Sequence, residues 1–130
     1  MRRIIRQYGI SLLLAVIILV LCLIDTTPLP KAPMTGFDKL VHLLMFLAVS
    51  GVAFFENTRY FRRAVTPASL FVGSFLYPLL FGGLIEVLQE YLSTTRSGDR
   101  MDFLYDGIGA LVGFTVCLLI NRYKKKPDTR

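Results

Sequence analysis

Four apolar runs separated by short polar segments constrain this 130-residue chain more than any other feature. They extend from about Gly9 to Ile24, Leu40 to Phe55, Val65 to Ile85 and Phe103 to Ile120. Each approaches the ~20 residues a helix needs to cross the hydrocarbon of a bilayer. In that solvent every backbone N–H and C=O must be paired inside its own segment, which leaves the α-helix as the form for runs of this length. A mean hydropathy of +0.57 and a 54% hydrophobic content agree, being too high for an ordinary soluble domain. The expected fold is therefore all-α, a single domain over residues 1–130. It is an integral membrane four-helix bundle with spans near 5–24, 38–55, 67–92 and 102–121.

The formal charge of +6 sits in blocks between the runs, not spread over a soluble surface, which argues against a nucleic-acid partner. Arg2, Arg3 and Arg6 form the first block, Arg59, Arg62 and Arg63 the second, and Arg122, Lys124, Lys125, Lys126 and Arg130 the third. Four crossings bring all three to one side, and the positive-inside rule makes that side cytoplasmic, with both termini on it. The expected location is the cytoplasmic (inner) membrane, with multiple passes. Three arginines before an apolar run also resemble a signal peptide, but Ile24 to Pro28 lacks a small-x-small cleavage pattern. Cys22 and Cys117 fall near opposite ends of their spans, too far apart for a disulfide, and read as packing residues.

Pro28, Pro30, Pro33 and Gly36 mark a spacer between the first two spans. The second loop, Glu56 to Thr66, reads as short and basic, with Pro67 in the first turn of the next helix. Pro78, followed by Gly82 and Gly83, predicts a kink that widens the bundle just below its polar end.

The strongly polar residues of the apolar helices gather at one end. Asp38, Lys39 and His42 open the second span, Glu86, Gln89 and Glu90 close the third, and Asp99, Arg100, Asp102 and Asp106 open the fourth. Positions three or four apart share a helix face. Asp38 with His42, Gly82 with Glu86, Gln89 and Ser93, and Asp102 with Asp106, Gly109 and Gly113 are such sets. Gly109 and Gly113 allow a close helix approach, and Gly82 or Gly83 offers a matching surface. Glu86 lies about 10 Å along the helix from Ser93 at ~1.5 Å per residue. At that depth it needs a partner such as His42, Arg96 or Arg100. Blander roles exist for several of these groups: Asp38 and Asp102 as helix caps, Gln89 as an interhelical bridge, and His42 as a packed core residue.

Together, Asp38-Lys39-x-x-His42, Glu86-x-x-Gln89, Arg96 followed by Asp102, and Asp106-x-x-Gly109-x-x-x-Gly113 resemble the signature of the VanZ-like family of small bacterial membrane proteins. The resemblance spans residues 37–113. It implies a four-helix envelope protein whose namesake is linked to resistance to the glycopeptide teicoplanin, and it implies no established reaction. Asp106 departs from the pattern, since the family commonly carries Asn there.

The expected function is recognition of a lipid-linked or amphiphilic envelope ligand in an outer-leaflet polar pocket. Asp38, Lys39, His42, Glu86, Gln89, Arg96, Arg100, Asp102 and Asp106 are its expected binding residues, and Lys39, Arg96 and Arg100 its cationic donors. A membrane enzyme is the alternative, with His42 or Glu86 as general base and Asp102 as its partner. A metal variant of that enzyme would use His42, Glu86, Asp102 and Asp106 as ligands. The chain has no nucleophile motif and no HExxH spacing, and no cofactor is expected. A transporter or a purely structural bundle completes the alternatives.

The topology makes a direct prediction. In intact cells an impermeant thiol reagent labels Ser97→Cys and not Lys126→Cys, and the opposite pattern reverses the orientation.

Overall fold

The computed structural model describes residues 1–24, 36–61, 65–94 and 98–125. All regular structure among them is helical: α1 (Arg2–Gln7), α2 (Gly9–Leu23), α3 (Phe37–Phe61), α4 (Pro67–Phe71), a π-helical turn (Val72–Leu76), α5 (Tyr77–Leu92) and α6 (Arg100–Lys124). Three helical stretches are long and apolar enough to cross a membrane: Phe37–Tyr60, Pro67–Leu92 and Arg100–Lys124. The first apolar run is shorter than expected because the helix breaks at Tyr8. Its 15-residue remainder, α2, reaches about 22 Å at ~1.5 Å per residue.

Polarity is distributed as hydrocarbon solvent demands. Leu13, Val16, Leu84, Leu111 and Leu119 are exposed on the outer faces, whereas Ser11, Ser50, Asn57, Ser74, Gln89 and Asp106 are buried. A bundle that hides its polar side chains and presents its aliphatic ones marks a helical membrane protein. Ile18, Cys22, Phe46, Val49 and Ile85 form the apolar centre, where α2, α3 and α5 meet.

The tightest contact joins α3 and α6, which run parallel because α5 carries the chain back between them. A Cβ built on Gly109 would collide with the Leu43 carbonyl, and one on Gly113 would lie 2.7 Å from the Leu47 carbonyl. The two backbones touch at four-residue intervals, as a small-xxx-small face permits. The surface facing these glycines is thus α3, and not Gly82 or Gly83 as the spacing suggested. Gly82 instead leaves a notch for the Asp106 side chain, and Gly83 packs on Phe103.

Pro78 acts differently from the expectation as well. It has no N–H to give the carbonyl four residues earlier, that of Ser74. The ladder opens on the N-terminal side of the proline, as the π-helical turn, and α5 continues without a break to Leu92. The widening thus falls in the half of the helix away from the polar end. Ser50 Oγ on α3 reaches the Ser74 carbonyl and lies 2.9 Å from the Ala110 carbonyl of α6. Its single proton serves one acceptor at a time. One buried hydroxyl thereby ties three helices.

The second loop is also shorter than read, because α3 continues to Phe61 and carries Glu56 and Asn57 into the bundle. Glu56 accepts from the N–H groups of Ile10 (2.7 Å) and Ser11 (3.1 Å). A carboxylate on a neighbouring helix therefore caps the orphan donors at the start of α2. At Pro67, Thr66 and Ser69 form a reciprocal capping box, with the proline in the first turn as expected.

Replacing Gly113 with Leu should destabilise the protein by about 2 kcal/mol or more, since side-chain atoms would enter space held by the α3 backbone. Thermal melts in detergent, with Gly9→Ala as a control that meets nothing within 4 Å, measure this. Equal melting temperatures would mean that the α3–α6 contact is not what holds the bundle.

Candidate functional site

The parallel pairing of α3 and α6 brings two helix N-termini to one end, and their positive dipole ends favour carboxylates there. Asp38 lies in the first turn of α3, Asp102 in that of α6, and Asp99 is the α6 N-cap, accepting from the Met101 N–H at 2.8 Å. Lys39 rises between them, 3.1 Å from Asp99, 3.3 Å from Asp102 and 3.6 Å from Asp38. The Met101 N–H, and then Lys39, hold the Asp99 carboxyl below the usual aspartate range. A depressed carboxylate stabilises the fold above its unfolded pKa of ~3.9 and loses that contribution as pH falls through the lower, folded value.

One turn deeper, His42 Nδ1 and Asp106 Oδ1 are hydrogen-bonded at 2.9 Å, while Nε2 stands 3.8 Å from Asp102 Oδ2. His42 is buried, and Asp106 has no exposed surface. The second oxygen of Asp106 lies in the notch at Gly82 and is buried without a hydrogen-bond partner among the described residues. Glu86 stands one turn beyond Gly82 on α5. Its Oε2 accepts from the Asp99 N–H at 2.6 Å, and its buried Oε1 is unpartnered among the described residues. Donor atoms of His42, Glu86 and Asp106 lie within 4.8 Å of one another.

His42, Glu86, Asp102 and Asp106 thus converge, with Lys39 above them. Gln89 does not join them: its Nε2 donates to the Cys22 carbonyl on α2 at 2.9 Å. A spacing of three keeps it on the side of α5 that carries Glu86, but one turn nearer the helix end that side meets the last turn of α2. It bridges helices and satisfies a carbonyl in the last turn of α2. Lys39 is committed to its three aspartates, not held free for a ligand. Glu86 is met by a backbone N–H and, among the described residues, not by an arginine, and Arg100 is exposed. Arg96 lies outside the described residues. Cys22, in the core, and Cys117 are not joined by a disulfide.

Between α5 and α6 a cavity of about 620 Å³ opens at this acidic end. Glu86, Glu90, Asp99 and Arg100 form its charged lining, and Gly83, Val87 and Phe103 its apolar lining. Gly98 closes over the end of α5, where a Cβ would fall 2.8 Å from the Glu86 carbonyl, and its N–H donates to Glu90. Glu86 therefore belongs both to the cavity and to the buried cluster.

A second polar region, at the opposite end, escaped the sequence reading. Glu56, Asn57, Ser50 and Ser74 are buried there, with Asn57 Nδ2 donating to the Ser69 carbonyl at 2.8 Å. The signal was present: His42, Phe46, Val49, Ala53 and Asn57 continue one face at steps of three and four. No family model matches the chain, and no curated protein or solved structure matches it.

Loss of the Lys39 ion pairs should cost about 1 kcal/mol or less, because the ammonium is partly exposed. Lys39→Met accordingly melts a few degrees below the parent protein at low salt, and the gap narrows in 1 M salt as charges are screened. A gap that is independent of salt would assign Lys39 a packing role instead.

Proposed function

We propose that this chain is a VanZ-like protein of the bacterial cytoplasmic membrane, a four-span bundle with both termini inside and the acidic end outward. In this reading the α5–α6 cavity takes the headgroup of a lipid-linked or amphiphilic envelope ligand. The orientation rests on the basic blocks of the sequence. The family assignment rests on the combined pattern of Asp38, Lys39, His42, Glu86, Gln89, Asp102, Asp106 and the two glycines.

The observation that carries the reading is the two-sided lining of the cavity. Val87 and Phe103 suit an acyl or prenyl chain, while Glu86, Glu90, Asp99 and Arg100 suit a polar headgroup. Three carboxylates accept hydrogen bonds, against the Arg100 guanidinium and the Tyr91 hydroxyl as side-chain donors, so the acid-rich lining favours a headgroup rich in hydroxyl or amine donors. A multiply anionic headgroup would meet repulsion from the acids. This narrows the expectation drawn from Lys39, whose charge is already shared among Asp38, Asp99 and Asp102.

Native mass spectrometry of protein extracted with its own lipids tests the proposal. A defined lipid mass should accompany the parent chain and disappear in Val87→Trp, which fills the apolar half of the cavity, while the melting temperature is retained. Bulk membrane lipids bound equally by both proteins would overturn it.

A further inference from the structure

We infer that His42, Glu86 and Asp106 form a site for one divalent transition-metal ion of Mn²⁺ or Zn²⁺ type, flanked by Asp102, at the floor of the acidic end. Three observations lead there. The first is geometric: one donor atom from each of the three residues falls within a 4.8 Å set. Ligands about 2.1 Å from a shared ion stand roughly 3.0–3.5 Å apart in tetrahedral or octahedral arrangements. The set therefore closes on an ion by side-chain adjustments of about an ångström.

The second observation is the state of the oxygens. Asp106 has no exposed surface, yet its Oδ2 makes no hydrogen bond, and Glu86 Oε1 is buried and equally without a partner among the described residues. Two carboxylate oxygens on facing helices, each stripped of water and of donors, are costly unless a cation or proton stands with them. The other oxygen of Glu86 is held in place by the Asp99 N–H, a support outside the ligand set that orients its carboxylate. His42 and Asp106 already meet at 2.9 Å, and an ion between them would take the place of that hydrogen bond.

The third is charge. Asp38, Glu86, Glu90, Asp99, Asp102 and Asp106 gather at this end, and Lys39 and Arg100 are the fixed cations among the described residues there. Lys39 contacts Asp38, Asp99 and Asp102, the outer layer, and leaves Glu86 and Asp106 below it. A divalent ion supplies the missing positive charge at the depth where it is lacking. One imidazole nitrogen with two or three carboxylate oxygens selects Mn²⁺ or Zn²⁺ over the purely oxygen-liganded Mg²⁺ and Ca²⁺.

The inference stands apart from the lipid reading, because it is tested without lipid. Tag-free protein is delipidated in detergent, stripped with chelator, and titrated with Mn²⁺, Zn²⁺ and Mg²⁺ by calorimetry and thermal shift. One Mn²⁺ or Zn²⁺ per chain should bind and raise the melting temperature. Glu86→Gln and Asp106→Asn should each weaken that binding at least tenfold, with the metal-free melting temperature kept near that of the parent. Asn retains an acceptor for His42 and removes the buried charge, so this variant guards against a folding failure. Val87→Trp, which blocks the proposed lipid cavity, should bind the ion unchanged. Absence of stoichiometric binding, binding that survives both substitutions, or a preference for Mg²⁺ would each overturn the site.

Discussion

The architecture depends on how closely α3 and α6 approach. Gly109 and Gly113 let the α6 backbone rest on the Leu43 and Leu47 carbonyls, and that contact sets the register of everything above and below it. It places Asp106 opposite His42, Asp102 opposite Lys39, and the Ala110 carbonyl within reach of Ser50. Hydrocarbon offers no hydrophobic drive for helix association, so packing and interhelical hydrogen bonds must do it. A side chain at either glycine would separate the helices and pull several buried polar pairs apart together.

Because the two helices are parallel, their N-terminal dipoles add at the acidic end instead of cancelling. The outer aspartates answer those dipoles and Lys39, and they are accounted for by capping and ion pairing. The inner pair of carboxylates, Glu86 and Asp106, is not. The cluster thus divides into an outer layer paired with Lys39 and a floor where Glu86 Oε1 and Asp106 Oδ2 have no hydrogen-bond partner among the described residues. Glu86 thus matters twice: one oxygen holds the loop at Asp99, and its carboxylate lies within 4.8 Å of donor atoms of His42 and Asp106.

The opposite end uses the same economy of polar groups for structure. Glu56 caps α2 from across the bundle, and Ser50 serves the carbonyl that Pro78 leaves without a donor. These groups answer local defects in helix hydrogen bonding, a broken helix at Tyr8 and a proline inside α5. They have the character of repairs, and Asn57 Oδ1 and Ser74 Oγ are left there without a hydrogen-bond partner among the described residues.

The sequence by itself determined the helices and the end at which their polar residues gather. Apolar run length decides spanning helices, and steps of three and four decide shared faces, so the meeting of His42, Glu86 and Asp102 was legible, as was Pro67 in a first turn. It did not determine partners, because periodicity fixes a residue's face but not which neighbouring helix that face meets. Gly109 and Gly113 were read towards the glycines of α5 and found α3; Gln89 was read into the cluster and found the end of α2. Glu56 looked like a loop charge, and only the packing of α2 against α3 gave its carboxylate two backbone donors. Tertiary structure decided these matters because the choice among neighbours rests on helix direction and on a backbone approach of a few ångströms, quantities that no local spacing encodes.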